Sequence, residues 1–224
     1  MADDDVTLSG EIKGKLVDSK QKWAEEGRLL TGMTAAPSER LPPGQRHVET
    51  WPVLDLGIKP EIPTHAWRLF VDGEVEAPVT LKWDDFKALP KTELTTDIHC
   101  VTAWSRYDNR WEGVSARDLI ALVKPKASAQ HVIFHSYDTY KTNVPLADFA
   151  AEDVMLAWSW NGEPISREHG GPLRVVIPKL YFWKSAKWIK RIEFSELDKP
   201  GFWEVRGYHN YGDPWREQRY DDEP

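Results

Sequence analysis

Apolar positions along the chain recur in short runs whose period switches between two and roughly three and a half residues, so short strands and short helices are both expected. From Trp67, "WRLFVDGEV" alternates apolar and polar residues around Asp72-Gly73, which predicts two strands joined by a tight hairpin. In "TLKWDDFKAL", Leu81, Phe86 and Leu89 have helical spacing; Thr80 is the candidate cap and Pro90 the stop. "TELTTDI" alternates as a strand and delivers Cys100 at its end, while "GVSARDLIALV" reads as a helix capped by Ser115. "QHVIFHSYD" is β-branched and strand-like, and "VMLAWSW" is a strand that Asn161-Gly162 turns back on itself. "PLRVVIP" is a continuous apolar run of strand length, and "WIKRIEF" alternates again. Strands and helices mix without a regular β-α rhythm, so the expected class is α+β.

The ends of the chain differ from its middle. Residues 1–45 read as an arm, with a charged helix from Glu11 to Leu30 and the Pro-rich connector "APSERLPPGQR" running into the body. Residues 46–199 form the main domain. Residues 200–224 are aromatic, polar and rich in turn formers, and are expected to wrap the body as an irregular segment. The acidic start "MADDDVTLSG" has neither the basic nor the apolar region of a secretory leader, and no apolar run is long enough to span a membrane; the cytoplasm is the expected location.

A net charge of -7 argues against nucleic acid as a partner, because phosphate binding needs excess Lys and Arg. That sum hides an asymmetry. From His169 to Ile192 the chain carries Arg174, Lys179, Lys184, Lys187, Lys190 and Arg191 and no acid, interleaved with Tyr181, Phe182, Trp183 and Trp188. A solvated basic face would leave those rings in water at considerable cost. A pocket for a flat, phosphorylated ligand accounts for both features, with Gly-Gly-Pro allowing close backbone approach and Ser185 set among the lysines.

The one cysteine, Cys100, lacks a disulfide partner within the chain, which leaves three roles: a small buried hydrophobe, a nucleophile or a metal ligand. Composition by itself favours the first. A nucleophile needs an activating neighbour, and His99 points to the opposite face of an extended segment. Zinc needs about four N or S ligands in closely spaced pairs, and His131 and His135 on a strand lie roughly 13 Å apart. A soft sulfur ligand to a metal carried by the phosphorylated ligand remains open.

Three motifs then occur in order: "CVTAWS" followed by "RWEGV", "HGGPLRVVIP", and "YFWKSAKWIKRIEF". Together they resemble the molybdopterin-binding domain of the sulfite oxidase family, especially its short haem-free bacterial members, from about Trp51 to Phe194. The resemblance implies that Cys100 coordinates a mononuclear molybdenum. It implies pterin contacts from His169 and Arg174 and a phosphate cradle from Tyr181 to Lys187, with Lys184, Ser185 and Lys187 as the polar members. Asp138 and Thr142, in "SYDTYKTNVPL", match a further cofactor-lining loop.

In the position of the tyrosine of sulfite-oxidising members this chain has Trp158, whose indole donates a hydrogen bond but does not titrate usefully. Arg106 stands one place later than their substrate arginine, and His47, beside Arg46, falls in the region of another. The implied function is two-electron oxygen-atom transfer on a small substrate, either sulfite-type oxidation or sulfoxide-type reduction. Without a haem-attachment motif, electrons would pass to or from an unidentified external carrier. The alternative is a cofactor-binding or carrier module that keeps the fold without sulfite turnover, with Trp158 as the feature in its favour.

Overall fold

A computed structural model describes residues 38–221 and, before them, residue 18 alone. The expected helix Glu11–Leu30 therefore lies outside the described residues, residue 18 excepted. Among the described residues, eleven strands form two sheets. The first contains β1 (Arg46–His47), β4 (Thr92–Cys100), β5 (Trp104–Ser115), β8 (Met155–Trp160), β9 (Glu163–Pro164) and β10 (Arg174–Val176). The second has the order β3 (Val79–Lys82), β2 (Arg68–Gly73), β11 (Ile189–Ser195), β6 (His131–Ser136), β7 (Lys141–Pro145). Within residues 38–221, short helices fill the connections: α1 (Trp83–Lys87), α2 (Ala116–Val123) and α3 (Leu146–Phe149). This mixed architecture is the α+β class that the pattern predicts.

The main core lies between the sheets. Leu69 and Val71 of β2, Val132 and Phe134 of β6 and Ile192 and Phe194 of β11 meet Val114 of β5, Leu156 and Trp158 of β8 and Val175 of β10. Burying each such side chain contributes about 1.5 to 3 kcal/mol. Alternate residues on β4, β5, β8 and β10 (Ile98, Cys100, Trp111, Met155, Ala157 and Val176) form a separate cluster on the outer face of the first sheet. Period-two alternation thus gives that sheet two buried faces. Residues 200–221, an irregular segment with 3-10 turns at Glu204–Arg206 and Pro214–Arg216, contribute Trp203 and Tyr208 to the outer cluster.

Local chemistry explains most boundaries. Ser115 Oγ accepts from Asp118 N at 3.0 Å and starts α2. Asn161 and Gly162 take positive φ of 52° and 88° and close the β8–β9 hairpin, as that dipeptide predicts. Two expectations change. Thr80 lies inside β3, and Lys82 occupies the position before α1, where its N–H donates to Asp85 at 3.0 Å. Asp72-Gly73 is no tight turn: β2 continues through it in parallel register with Glu193-Phe194, and β2 pairs with β3 only as far as Val71 and Val79. The long-range pairing with β11 supplies the hydrogen bonds that a tight turn would have forgone.

Candidate active site

Cys100 ends β4 opposite Trp104, and the chain between them reverses through a turn in which Ala103 N–H donates to the Cys100 carbonyl at 3.0 Å. The thiol is buried at 7% exposure, and Thr102 Oγ1 donates to its Sγ at 3.2 Å. Behind it runs a chain of buried polar groups. His99 Nδ1 lies 2.8 Å from Ser105 Oγ, Ser105 Oγ donates to Gln45 Oε1 at 3.3 Å, and Gln45 Nε2 donates to the Cys100 carbonyl at 3.0 Å. This chain anchors the backbone that presents the sulfur.

Burial pushes the His99 imidazole down to about 4 against a weaker opposing pull from Asp97. An unfolded histidine protonates near pH 6.5, so between about 6.5 and 4 the unfolded chain binds the extra proton and folding stability rises with pH. The contribution is complete above 6.5 and lost as pH falls toward 4, about 3 kcal/mol in all. Urea midpoints of cofactor-free protein from pH 7 to 4.5 should fall, and His99→Asn should flatten that slope; equal slopes would refute this origin.

Next to the thiol lies a cavity of about 910 Å³ of space between atoms, its mouth included. Of the residues expected to form the site, Cys100, Asp138, His169, Arg174, Ser185 and Lys187 line it. The turn after β10 reaches Cys100 because Phe182 N–H donates to the His99 carbonyl at 2.8 Å. Arg174 is 2% exposed and holds the His169 carbonyl through Nη1 at 2.7 Å and the Ser185 carbonyl through Nη2 at 2.8 Å. Its guanidinium sits 4.2 Å from the centroid of Phe182, and no carboxylate among the described residues forms an ion pair with it; burial alone lowers it to about 9. Lys187 Nζ donates to the Leu54 and Glu168 carbonyls, both at 2.8 Å. Ser185 Oγ accepts from Ile177 N at 2.9 Å, a bond that leaves its own hydroxyl hydrogen to be used elsewhere.

His169 lies against Trp51, with ring centroids 3.8 Å apart, and its Nε2 is 3.2 Å from the Trp51 carbonyl. Desolvation takes it down to about 4, so it is neutral at pH 7. Asp138 Oδ1 accepts from Tyr140 N at 3.0 Å. The remaining walls are largely apolar or aromatic: Trp51, Leu54, Trp104, Phe182, Trp203 and Tyr208.

The other expected residues are not brought to the cavity. Trp158 faces the inter-sheet core, because the alternation of β8 turns it away from Met155 and Ala157; its Nε1 donates to Glu112 at 2.9 Å and Lys87 Nζ caps its ring at 3.5 Å. Lys184 is wholly buried, 2.6 Å from Glu204 Oε1, and also donates to the Asn143 carbonyl and Oδ1 at 2.9 and 3.1 Å. Thr142 Oγ1 donates to the same Glu204 oxygen at 2.7 Å. Tyr181 stacks on Trp183 at 5.3 Å within the outer cluster. Arg106 lies over Trp160 at 4.7 Å and donates to Asn109 Oδ1 at 2.6 Å, and exposed His47 stacks on Tyr107 at 4.5 Å.

Sequence reasoning missed Trp51, Thr102 and Trp104 as wall residues, although the last two belong to the "CVTAWS" motif, and it gave Trp203 and Tyr208 no role beyond wrapping.

Two observations make the cavity suitable for an anionic, ring-bearing prosthetic group. Arg174 is a buried cation held only by neutral carbonyls and rings among the described residues. Trp104 Nε1, on the wall beside Cys100, is a buried donor with no partner among the described residues, and such groups are rarely left unsatisfied.

Comparisons with known proteins agree. The profile of the oxidoreductase molybdopterin binding domain matches residues 56–203. The chain is 49% identical to the uncharacterized oxidoreductase YuiH of Bacillus subtilis over 82% of its own length and 93% of that protein's. It is 30% identical to the protein-methionine-sulfoxide reductase catalytic subunit MsrP of Ralstonia nicotianae, covering 66% of this chain and 49% of that one. With mouse mitochondrial sulfite oxidase the identity is 29%, over 68% of this chain and 33% of that one. It thus spans about half, or less, of the length of these last two relatives. Sulfane dehydrogenase SoxCD from Paracoccus pantotrophus shares the fold, with a TM-score of 0.57 and 23% identity over 62% of this chain and 40% of that one. With a thiol, a buried guanidinium and an orphan indole donor facing one cavity and the profile covering most of the chain, this protein belongs to the oxidoreductase molybdopterin-binding domain family.

Proposed function

We propose that the chain catalyses oxygen-atom transfer at the sulfur of a small organic substrate, with an uncharged sulfoxide favoured over sulfite. The observation that carries this reading is the character of the cavity. Its walls are mostly aromatic and aliphatic, and its cations Arg174 and Lys187 are the groups that suit the anionic end of the cofactor, while Arg106 and His47 lie outside it. A doubly charged substrate anion would have to shed its water without a dedicated counter-charge, at a cost of several kcal/mol. A neutral S=O group would not. The similarity to a protein-methionine-sulfoxide reductase catalytic subunit points the same way.

When bound, the molybdenum cofactor supplies the two-electron redox chemistry and the exchange of the oxygen atom. The chain's own residues bind and orient it. Cys100 Sγ is the soft ligand for the metal. Arg174, Lys187 and Ser185 suit the anionic end, Asp138 suits ring N–H donors, and Trp104 Nε1 donates from the wall. Trp203 and Tyr208 exclude water from the side covered by residues 200–221. An external electron carrier completes the cycle. The carrier-module reading rested on Trp158, and that side chain lies in the core between the sheets.

Steady-state assays of molybdenum-loaded protein test the proposal. With a reduced viologen dye and an alkyl aryl sulfoxide, kcat/KM should exceed that for sulfite with an artificial acceptor by at least about tenfold, equivalent to about 1.4 kcal/mol of transition-state discrimination. A preference for sulfite, or no turnover with either, would overturn it.

A further inference from the structure

Resting on the assignment of Cys100 as metal ligand, we propose that Thr102 is a positioning residue that tunes the metal through a hydrogen bond to the cysteine sulfur. Thr102 lies in the turn between β4 and β5, is 6% exposed and lines the cavity. Ala103, with φ of 63°, and the Ala103 N–H bond to the Cys100 carbonyl fold the turn so that Thr102 Oγ1 comes within 3.2 Å of Cys100 Sγ. A buried hydroxyl that gives up its partner pays the full desolvation penalty, so the bond is retained while the turn stays folded.

The direction of the effect follows from charge. A thiolate bound to a metal donates electron density to it, and an O–H aimed at that sulfur withdraws part of this density. The reduced metal, which carries more negative charge, is then favoured relative to the oxidised metal. Hydrogen bonds to ligating sulfur and to other metal ligands are established levers on reduction potential. Removing the hydroxyl should therefore make the metal harder to reduce and strengthen sulfur-to-metal donation.

The test compares wild-type protein with Thr102→Val, which keeps the branched shape and loses the donor, and Thr102→Ser, which keeps the donor. Molybdenum content is measured first by mass spectrometry. Redox titration then follows the paramagnetic one-electron-reduced metal and the visible sulfur-to-metal absorption band. At a fixed applied potential near the midpoint, Thr102→Val should change the oxidised-to-reduced ratio about tenfold toward oxidised and displace the band, whereas Thr102→Ser should stay close to wild type. A Thr102→Val protein with normal molybdenum, an unchanged ratio and an unchanged band would overturn this inference alone, leaving the cofactor assignment standing. A wild-type protein that takes up no molybdenum would overturn the assignment and this inference with it. Equal displacement in both variants would also overturn it, because the turn's packing and not the donor would then be responsible.

Discussion

Serine at position 100 is expected to leave the protein folded, strip most of its molybdenum and lower turnover by at least about a hundredfold. Substitutions of groups that merely support metal ligands typically cost 10- to 100-fold, so loss of the ligand itself should cost at least that much. The side chain is buried and the replacement is nearly isosteric, with Thr102 still able to bond the new hydroxyl. The stability change should therefore stay within about 1 kcal/mol, a fall in Tm of about 2 to 4 °C. Metal analysis, dye-linked activity and a thermal melt on one preparation separate the effects. A serine variant with full molybdenum and full activity would remove Cys100 from the metal; one that unfolds would return it to the role of core residue.

Glu204→Leu should produce the largest loss of stability. Glu204 Oε1 is the common acceptor for Lys184, Thr142 and Trp183, at 2.6, 2.7 and 3.0 Å, and the Lys184 and Glu204 side chains are 0% and 1% exposed. Desolvation lowers the Lys184 pKa, with Glu204 as the opposing partner that favours its charged form. Removing one member of a buried pair leaves the other uncompensated and costs about 3 to 5 kcal/mol. The double variant Lys184→Met with Glu204→Leu should recover much of this, because an apolar pair of similar volume replaces a desolvated one. Urea unfolding of wild type, Glu204→Leu, Lys184→Met and the double variant gives the coupling directly. Residues 200–221 should also become more sensitive to protease in Glu204→Leu, since Glu204 ties that segment to Lys184 and Thr142. A single variant as stable as wild type would contradict the burial of the pair.

The Lys184 pair also shows where reading the sequence stopped. An acid-free stretch with two lysines around Ser185 marked a site for an anion, and Lys187 and Ser185 do line the cavity. Lys184 is occupied by an acid about twenty positions downstream, in a tail with no regular periodicity, and charge pattern along the chain could not anticipate that partner. Trp158 is a similar case. Its place relative to the Asn-Gly turn matched a family position, but the face it occupies on β8 depended on which side of the sheet met the second sheet. Periodicity fixes alternation and leaves its absolute sense open when both faces are buried.

The sequence by itself determined the α+β class, the strand that ends at Cys100, the Ser115 cap, the Asn161-Gly162 hairpin and the motif order that points to molybdopterin. These features depend on local backbone preferences, short-range spacing or recognisable runs of residues, all of which are written along the chain. Only the tertiary structure decided that Asp72-Gly73 extends a strand, that Lys184 belongs to Glu204, and that Trp51, Trp104, Trp203 and Tyr208 wall the cavity with Arg174. Those outcomes depend on contacts between segments far apart in sequence, where burial and charge pairing across the molecule override what each segment prefers alone.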